Sequence, residues 1–588
     1  MESRIGSKQE KTSIIGVIPG YPEHSRYNIY GGVRMPPVGL ISVLSQINRQ
    51  RDFNEVYAID ENNYAGPRDF TDMPDHAFLQ RRNPAKIAMF YGGMSNSIPR
   101  MFSLAKQYNS FGALTIAGGG HVSALSEEAL HSGVDIVVHG EGEKTSREIL
   151  ETIVEKGEVR LDKNKLTEIR GLSILDENGK YIFTGPREPM SEEELDNLED
   201  TDLTLIRFGK RWTAIPINRG RGCNSDCEFC TVSQQLGPYR SSSPEKALRQ
   251  IIRYSDLGYK DFFITDDNFA QKPKEARDLC MMIGEYKREF DKTLRFTVQV
   301  RSEIAGNDSL IEAMKFAGVN ALAIGFESPI NEELKAMNKG VTVEQLTERA
   351  RKLSNYFSLH GMFIFGYPLP PGSDKIGLTL EQKAKHYIKF FKESKIDTLQ
   401  ILNAVPGPGS KLRKRLELEK RIFPPEMVGW DKYDGLFLCY DPRPEGIDAF
   451  DLQNIPKTLM KSWYQGSFVG GKLNPGHWMN WVYNATIGFP IQFGIFYTKR
   501  FVHNLVEKRR EKNITEENLI PKKNIFHQSS IHAWGDIAKN WRNLFIRTYG
   551  GEIVRNWVKA YKKSGYVENL RAFLRKNQIG NKRDKISS

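Results

Sequence analysis

The sequence predicts an α/β chain with a doubly wound parallel sheet first, an incomplete TIM-like (β/α)6 barrel second and a mostly helical C-terminal region. Three observations support this prediction. Short apolar runs alternate with helical segments over residues 13–156, the alternation resumes over 213–405, and no such repeat follows residue 406. Strands joined by helices are typical of parallel sheets. The 588 residues are enough for three or four domains.

The first part contains five predicted strands, with glycines clustered where three of them end. The strands are expected at 13–20, 55–60, 86–93, 114–120 and 135–141. Ligands of doubly wound sheets bind beyond the carboxyl ends of the strands, where glycine lets backbone approach a ligand closely. We therefore predict ligand contacts there, although tight turns alone would explain some of these glycines. They are Gly92, Gly93, Gly118, Gly119, Gly120, Gly140 and Gly142.

Residues 157–212 interrupt the alternation. Segment 171–185 predicts two strands around Asn178-Gly179, a dipeptide typical of hairpin turns, and an acidic stretch follows it. We interpret this part as a connector. The predicted domains are therefore 1–156, the connector 157–212, a barrel with its following segment at 213–440, and the C-terminal region 441–588.

The barrel prediction depends on six further strands with helices between them. The strands are expected at 213–218, 261–266, 294–300, 320–326, 359–366 and 397–403. The helices are expected to begin near Ser243-Pro244, Lys272-Pro273, Asp308, Thr342 and Thr379, several of them with capping residues. In such barrels the functional groups lie at the carboxyl ends of the strands.

A cysteine cluster follows the first barrel strand. Cys223, Cys227 and Cys230 fall within eight residues, and three thiolates on one loop favour a soft metal centre. Zinc normally requires four ligands, and no fourth cysteine or histidine lies nearby. A four-iron cluster with three protein thiolates would leave one iron open. Cys280 and Cys439 stand in apolar surroundings, so we interpret them as buried packing residues.

The Cys-x3-Cys-x2-Cys spacing, with Phe229 before the last cysteine, resembles the signature of the radical S-adenosylmethionine (SAM) superfamily. The resemblance implies that the three cysteines hold a [4Fe–4S] cluster whose open iron binds SAM. It also implies that one-electron reduction cleaves SAM to methionine and a 5′-deoxyadenosyl radical. Taken singly, each further match is also explained as an ordinary strand-end residue. The SAM-binding residues implied are Phe229, Asp266, Asp267, Asn268, Gln299, Arg301, Glu327, Ser328 and Gly366.

The stretches GGGHVSALSEEAL and DIVVHGEGEKT resemble the Rossmann-like cobalamin-binding domain that precedes many radical SAM barrels. Classical cobalamin domains carry Asp-x-His-x-x-Gly, whose histidine binds cobalt, but the nearest stretch here, residues 60–66, has no histidine. Cobalamin would then bind with water or nothing on the lower face of cobalt; alternatively, the domain is a degenerate remnant. Besides the glycines above, the cobalamin contacts implied are Gly31, Gly32, Pro37, His121 and Glu141.

The positive net charge of +12 is concentrated at the end of the chain. From Lys499 onward there are 21 lysine and arginine residues against 8 aspartate and glutamate residues. The aromatic-rich segment 478–497 before them predicts either a membrane-surface platform or an aromatic core flanked by solvated charges. A mean hydropathy of −0.49 argues against a polytopic membrane protein. Few cysteines and no apolar leader segment favour a cytoplasmic protein, with peripheral membrane contact as a further hypothesis.

Together these features predict a radical SAM enzyme that performs cobalamin-dependent C-methylation of an unactivated carbon in a small-molecule or lipid-like substrate. Its expected partner is an electron donor such as flavodoxin or ferredoxin, and a nucleic-acid partner is not expected. The absence of any cysteine before Cys223 argues against methylthiotransferases. Two alternatives stay open: a cyclase or rearrangement enzyme without methyl transfer, and a non-catalytic cobalamin or iron–sulfur sensor with a nucleic-acid-binding tail.

Overall fold

The computed structural model describes residues 12–22, 34–49, 53–155, 157–373, 376–469 and 563–584. The chain divides into two compact units, residues 1–460 with 552–588 and residues 461–551. All strands named below belong to the first unit.

The N-terminal part is built on an eight-stranded sheet in the order β10-β2-β1-β3-β4-β5-β8-β9. Its five central strands are parallel, which confirms the predicted doubly wound arrangement. The strands of this part are β1 (Thr12–Ile18), β2 (Phe53–Asp60), β3 (Ile87–Tyr91), β4 (Leu114–Gly118), β5 (Ile136–Val138), β6 (Val154–Glu155), β7 (Glu158–Val159), β8 (Leu172–Leu175), β9 (Tyr181–Phe183) and β10 (Ile206–Arg207).

Helices cover the sheet, and the apolar side chains between the layers form its core. Ile15, Val17 and Phe90 from the strands and Met101 and Leu104 from a helix are buried there. The helices are α1 (Val38–Arg49), α2 (His76–Arg82), α3 (Ile98–Ser110), α4 (Gly120–Ala124), α5 (Ser126–His131), α6 (Gly142–Ile153), α7 (Lys163–Leu166) and α8 (Glu192–Asn197).

The predicted hairpin around Asn178-Gly179 is present as β8 and β9. β8 pairs antiparallel with β5, and β10 adds a parallel strand beside β2 at the opposite edge. The segment interpreted as a connector therefore contributes three strands to the N-terminal sheet.

The barrel is a six-stranded parallel sheet in the order β11-β14-β15-β16-β17-β18, and all six predicted strands are present. A two-stranded antiparallel ribbon, β12 with β13, follows its first strand. The strands are β11 (Ile215–Ile217), β12 (Gly220–Arg221), β13 (Arg240–Ser241), β14 (Asp261–Ile264), β15 (Arg295–Val300), β16 (Val319–Glu327), β17 (Ser358–Phe365) and β18 (Thr398–Asn403).

Capping residues begin the barrel helices where the sequence predicts them. Ser243 caps one helix, and Thr342 and Thr379 each form a capping box with a glutamine three residues later. The cap before Asp308 is Asn307. The helices are α9 (Val232–Leu236), α10 (Pro244–Asp256), α11 (Pro273–Glu289), α12 (Asp308–Ala317), α13 (Asn331–Ala336), α14 (Val343–Ser354), α15 (Leu380–Glu393) and α16 (Lys411–Leu418).

The described residues after the barrel contain two long helices, α17 (Ala449–Val469) and α18 (Tyr566–Asp584). Tyr566 donates a hydrogen bond to the carbonyl of Leu438 (2.6 Å), which fastens α18 to the segment after the barrel. The predicted platform at 478–497 lies outside the described residues. Within the described ranges, no helix combines the length and apolar character needed to cross a bilayer.

Candidate functional site

The three clustered cysteines lie on a loop that the β12–β13 ribbon closes. Residues 222–239 form this cysteine loop, directly beyond β11. Gly222 opens it with a φ of +79°, and a side chain there would come within 2.5 Å of the carbonyl oxygens of Gly237 and Pro238. Only glycine suits this position, since a β-carbon would meet both a strained φ and fixed backbone.

The three thiols are close enough to interact electrostatically. Cys227 interacts with Cys223, and Cys230 interacts with both. Burial raises the pKa of the Cys227 thiol, against the opposing effect of the cations Lys339 and Arg301. Burial also raises the pKa of Cys230 to about 11. Iron binding would therefore displace protons from these thiols.

The donor set fits an iron–sulfur cluster better than a single metal ion. In the described part of the chain, no three His, Cys, Asp or Glu side chains are placed to hold one ion. In a four-iron cluster each thiolate binds a different iron, so the thiols need only surround a shared space. Three coupled thiols on one loop fit a cluster with three protein ligands.

A buried network ties both ends of the cysteine loop to the end of β14. Asp266 Oδ1 accepts the backbone N–H groups of Arg219 (3.0 Å) and Gly220 (2.8 Å). Asp266 Oδ2 accepts the hydroxyl of Tyr239 (3.0 Å). The buried Arg219 guanidinium donates to Tyr239 and Glu275, both at 2.8 Å. Because the loop donates to both oxygens of Asp266, this residue positions the loop, and its contact with SAM stays a prediction.

Glu228 fastens the middle of the cysteine loop. Its carboxylate accepts hydrogen bonds from Arg415 (2.7 Å) and Tyr367 (2.6 Å). Its backbone N–H donates to the carbonyl of Met337 (3.0 Å), and its carbonyl accepts from Leu412 (2.9 Å). Sequence reasoning missed these residues because their partners are more than 100 positions away along the chain.

The Gly-x-Glu segment at the end of β16 has a local structural cause. The strand bulges between Gly325 and Glu327, and Glu327 has a φ of +64°. A side chain on Gly325 would lie 2.3 Å from Glu327 Oε1, so glycine makes room for the carboxylate. The almost fully buried Lys339 donates to Glu327 (2.8 Å). Nothing in the sequence marks this lysine as part of the site.

Two other residues predicted to bind SAM make contacts within the protein. Ser328 is buried and donates to Glu333 (2.5 Å), which pairs with Lys383 (2.8 Å). Gly366 has a φ of +67°, and a side chain there would lie 2.2 Å from Leu452 of α17. SAM contacts from these two residues stay a prediction.

Polar groups that could bind a ligand remain available at three predicted SAM contacts, Asp267, Asn268 and Gln299. Asn268 donates to Gln271 (3.1 Å), but its buried Oδ1 has no hydrogen-bond partner among the described residues. Burial raises the pKa of Asp267 to about 6, and Gln299 donates to its carbonyl (3.3 Å). An acceptor without a partner beside a carboxylate fits an ammonium group such as that of SAM.

Arg301 and Phe229 also lie at the cysteine loop. Arg301 donates to Ser225 of the loop (3.2 Å) and pairs with Glu303 (3.0 Å), so part of its guanidinium is already engaged. The ring of Phe229 meets that of Tyr367 edge-on at 6.3 Å. Both residues are only partly buried, which leaves surface for a ligand.

The glycine runs of the N-terminal sheet pack against each other and against the barrel. Gly92 donates to the carbonyl of Gly118 (2.7 Å), and a side chain on Gly119 would lie 2.6 Å from a backbone nitrogen of the other run. A side chain on Gly120 would collide with Gln235 of α9, which donates to the Gly120 carbonyl (3.0 Å). Close packing therefore requires glycine at Gly119 and Gly120, and the predicted ligand contacts of these runs stay a prediction.

Glu141 and Glu143, after β5, form an ionic clasp with Arg221 and Arg240 of the ribbon. Arg221 bonds Glu143 (2.6 Å) and Glu141 (3.2 Å), and Arg240 bonds Glu141 (2.9 Å). Burial would raise the pKa of Glu143, but Arg221 holds it below its usual value. Glu141 thus joins the N-terminal sheet to the cysteine loop, and its contact with cobalamin stays a prediction.

The histidines near the sheet edge are engaged by other side chains. His76 lies within hydrogen-bond distance of Tyr108 (2.9 Å) and Glu61 (3.1 Å) through its two ring nitrogens. His121 lies 2.9 Å from Ser95 through Nδ1, and its ring meets Trp430 edge-on at 4.6 Å. Both ring nitrogens of His76 and the Nδ1 of His121 are therefore engaged.

The edge of the N-terminal sheet carries groups that suit a large polar ligand. His121 Nε2 is buried and has no hydrogen-bond partner within the described ranges. Half-buried tyrosines follow β1 and end β3, at the point where the strand order reverses. Of the other predicted contacts, Pro37 directly precedes α1, Gly140 and Gly142 flank Glu141, and Gly31 and Gly32 lie outside the described residues.

Comparison with known proteins identifies the barrel. Residues 217–373 match the model of the radical SAM superfamily. An uncharacterized methyltransferase of Pyrococcus horikoshii is 26% identical over 466 residues, which cover 76% of this chain and 91% of the relative. The hopanoid C-2 methylase of Rhodopseudomonas palustris is 24% identical, over 71% of this chain and 72% of the relative.

A solved structure shares the fold. The cobalamin-dependent S-adenosylmethionine radical enzyme OxsB, with aqua-cobalamin and S-adenosylmethionine bound, matches with a TM-score of 0.58 at 16% identity. The match covers 97% of this chain and 81% of that chain. At this identity the likeness shows the fold alone.

Proposed function

We propose that this chain, which contains a radical SAM domain at residues 217–373, is an enzyme that C-methylates an unactivated carbon of a small-molecule substrate with a [4Fe–4S] cluster, SAM and cobalamin. One observation carries the proposal. Cys223, Cys227 and Cys230 lie on one loop at the carboxyl end of a barrel strand, where such barrels place their chemistry.

The protein's own part is to hold and orient the reactants. When bound, the cluster supplies the electron that cleaves SAM to methionine and a 5′-deoxyadenosyl radical. Asn268 Oδ1 and the Asp267 carboxylate would accept hydrogen bonds from the SAM ammonium group. The network around Asp266 and the contacts of Glu228 keep the loop rigid, which suits a reaction that depends on position.

The N-terminal sheet supports the cobalamin part of the proposal. Its carboxyl edge meets the cysteine loop through the ionic clasp and through the Gln235–Gly120 contact, so a ligand at this edge would lie near the barrel mouth. Cobalamin, when bound, supplies the methyl group. The names of the methyltransferase relatives favour methyl transfer over a radical rearrangement.

The substrate class is inferred from the relatives. A hopanoid methylase and two bacteriochlorophyllide methyltransferases of Chlorobaculum tepidum are among the similar proteins, and all three are named for polycyclic substrates. We therefore propose a lipid-like or polycyclic substrate, an electron donor such as flavodoxin or ferredoxin, and contact with a membrane surface during substrate uptake.

Anaerobic reconstitution tests the reaction. The full chain is loaded with iron, sulfide and hydroxocobalamin, reduced with dithionite in the presence of SAM, and its products are identified by mass spectrometry. We expect thiolate-to-iron absorption at about 400 nm, which is typical of such clusters. We also expect 5′-deoxyadenosine and S-adenosylhomocysteine as products. 5′-Deoxyadenosine alone would favour a reaction without methyl transfer.

Cysteine variants provide the control. Cys223→Ala, Cys227→Ala and Cys230→Ala should each lose the absorption and both products. Cys280→Ala, which alters a buried cysteine of α11, should keep them. A chain that binds no iron, or whose three variants behave like the Cys280→Ala control, would contradict the proposal.

A further inference from the structure

Segment 337–339, between α13 and α14, lies against the middle of the cysteine loop. Its carbonyl at position 337 accepts the N–H of Glu228 (3.0 Å), and the side chain of Asn338 donates to the carbonyl of Asp226 (2.9 Å). These two loop residues flank Cys227 in the chain. The segment is therefore fixed to the backbone on both sides of one of the three clustered cysteines.

The same segment carries a buried cation. Lys339 is 8% exposed, and its ammonium group donates to the Glu327 carboxylate (2.8 Å) at the bulge of β16. Its carbonyl accepts from Arg301 (2.8 Å), whose guanidinium also donates to Ser225 of the cysteine loop (3.2 Å). Lys339 is thus anchored at the candidate site twice, through its backbone by Arg301 and through its side chain by Glu327.

Lys339 and Glu327 act on the clustered thiols with opposite sign. Burial raises the pKa of the Cys227 thiol, the Lys339 cation opposes this rise, and the Glu327 carboxylate adds to it. Arg301 acts in the same direction as Lys339. Because solvent and salt screen buried charges much less than exposed ones, the pair acts on any negative charge that the thiols hold.

Reduction of a bound cluster adds to this negative charge. Three thiolates already make such a cluster anionic, and the one electron delivered by the proposed electron donor makes it more so. The reduction potential of an iron–sulfur cluster depends on net charge, hydrogen bonds to sulfur and exposure to solvent. A buried cation nearby stabilises the reduced state and raises the potential, whereas a buried anion lowers it.

We propose that the ion pair of Lys339 with Glu327 sets the reduction potential of the cluster, with the lysine favouring and the glutamate opposing uptake of the electron that SAM cleavage requires. This inference rests on the proposed function and adds to it the two side chains that control the electron-transfer step. It also gives a reason for the almost complete burial of a lysine, a residue that is rarely buried.

Redox titration followed by electron paramagnetic resonance tests this role. The full chain is reconstituted anaerobically with iron and sulfide, without SAM or cobalamin, and reduced stepwise with titanium(III) citrate. The signal of the reduced cluster gives the midpoint potential. Glu327→Gln removes the anion and keeps the cation, so its midpoint should lie above that of wild type. Lys339→Met removes the cation and keeps the anion, so its midpoint should lie below that of wild type.

Two further variants separate the charge effect from a folding defect. Lys339→Met leaves a buried carboxylate without its partner, which is strongly destabilising, whereas the double variant Glu327→Gln/Lys339→Met leaves neither charge of the pair. The double variant should have a lower midpoint than Glu327→Gln, since these two chains differ only in the cation. Lys292→Met is the matched control, because it removes the lysine of a surface ion pair with Asp256, and it should keep the midpoint of wild type.

The direction of the shifts decides the outcome. Single variants whose midpoints move in the same direction, or a double variant with the midpoint of Glu327→Gln, would overturn the role of the pair, because a purely structural effect does not follow the sign of the charge. Either result leaves the proposed function standing, since the cluster is present in these chains. A wild-type chain that assembles no cluster would refute the proposed function together with this inference.

Discussion

At the scale of single residues, two glycines make room for neighbouring groups at the candidate site. Gly222 turns the chain into the cysteine loop with a φ that other residues rarely adopt, and Gly325 leaves space for the Glu327 carboxylate. The sequence motif alone cannot separate these roles from ligand contact. In the structure, backbone or side-chain atoms lie where the missing β-carbons would be.

Gly222→Ala should damage the cysteine loop. The added methyl group meets two carbonyl oxygens at 2.5 Å and a φ of +79°, so we expect a loss of about 1–3 kcal/mol in the free energy of unfolding and a large loss of bound iron. Urea unfolding and iron content per chain measure the two effects. Gly39→Ala on α1 is the control, because no atom lies within 4 Å of its added carbon; equal behaviour of the two variants would contradict the prediction.

Asp60 gives a prediction about pH. It is buried, and burial raises its pKa from 3.8 to about 6, against the opposing hydrogen bonds from Asn62. Between those pH values the folded chain binds more protons than the unfolded chain, so the folded state loses stability as the pH rises from 4 to 6. Asp60→Asn removes this loss and should be more stable than wild type at pH 7 by up to about 3 kcal/mol.

Urea unfolding of wild type and Asp60→Asn at pH 4, 5, 6 and 7 measures this difference. We expect the two chains to converge near pH 4 and to diverge as the pH rises. A stability difference that stays constant over this range would show that Asp60 does not titrate as its burial predicts.

At the scale of elements, the sequence predicts the features that depend on interactions between residues close together in the chain, such as helix starts. Pro244, Thr342 and Thr379 mark their helices because caps and proline act within one turn. The pairing of β8 with β5 and the ionic clasp are decided by contacts between segments 30 to 100 residues apart, which carry no local signature. The cysteine motif was therefore predictable, whereas the residues that support it were not.

The ionic clasp should show strong coupling between Glu143 and Arg221. Removing one partner leaves the other buried without its pair, so Glu143→Gln or Arg221→Gln should each cost about 3 kcal/mol. The double variant should cost less than the sum, with a coupling of about 1–3 kcal/mol. Urea unfolding of the four chains measures this cycle.

The exposed pair Lys292–Asp256, at 3.1 Å, is the matched control for the clasp. Its coupling should not exceed about 1 kcal/mol, since solvent screens such pairs. Equal coupling in the two cycles would mean that the clasp contributes no more than a surface ion pair.

At the scale of the molecule, the N-terminal sheet and the barrel are joined at the edge that both use for their ligands. Beside the clasp, Gln235 of α9 bonds Gly120. Trp430, after the barrel, donates to Glu128 of α5 (2.8 Å). Ligands of the two parts would thus lie on either side of one buried polar interface, which holds them at a fixed separation.

Residues 12–210 and 213–440 should therefore unfold together. Hydrogen exchange with mass spectrometry in increasing urea should give peptides of β1–β5 and of β14–β18 the same midpoint, because the shared interface makes their stabilities interdependent. Glu143→Gln combined with Trp430→Ala removes contacts on both sides of that interface and should separate the two midpoints. Phe70→Ala changes a fully exposed aromatic residue and is the control; it should leave the two midpoints equal. If the two sets of peptides already differ in wild type, the interface does not couple the sheet to the barrel, and the fixed separation of the ligands would need another cause.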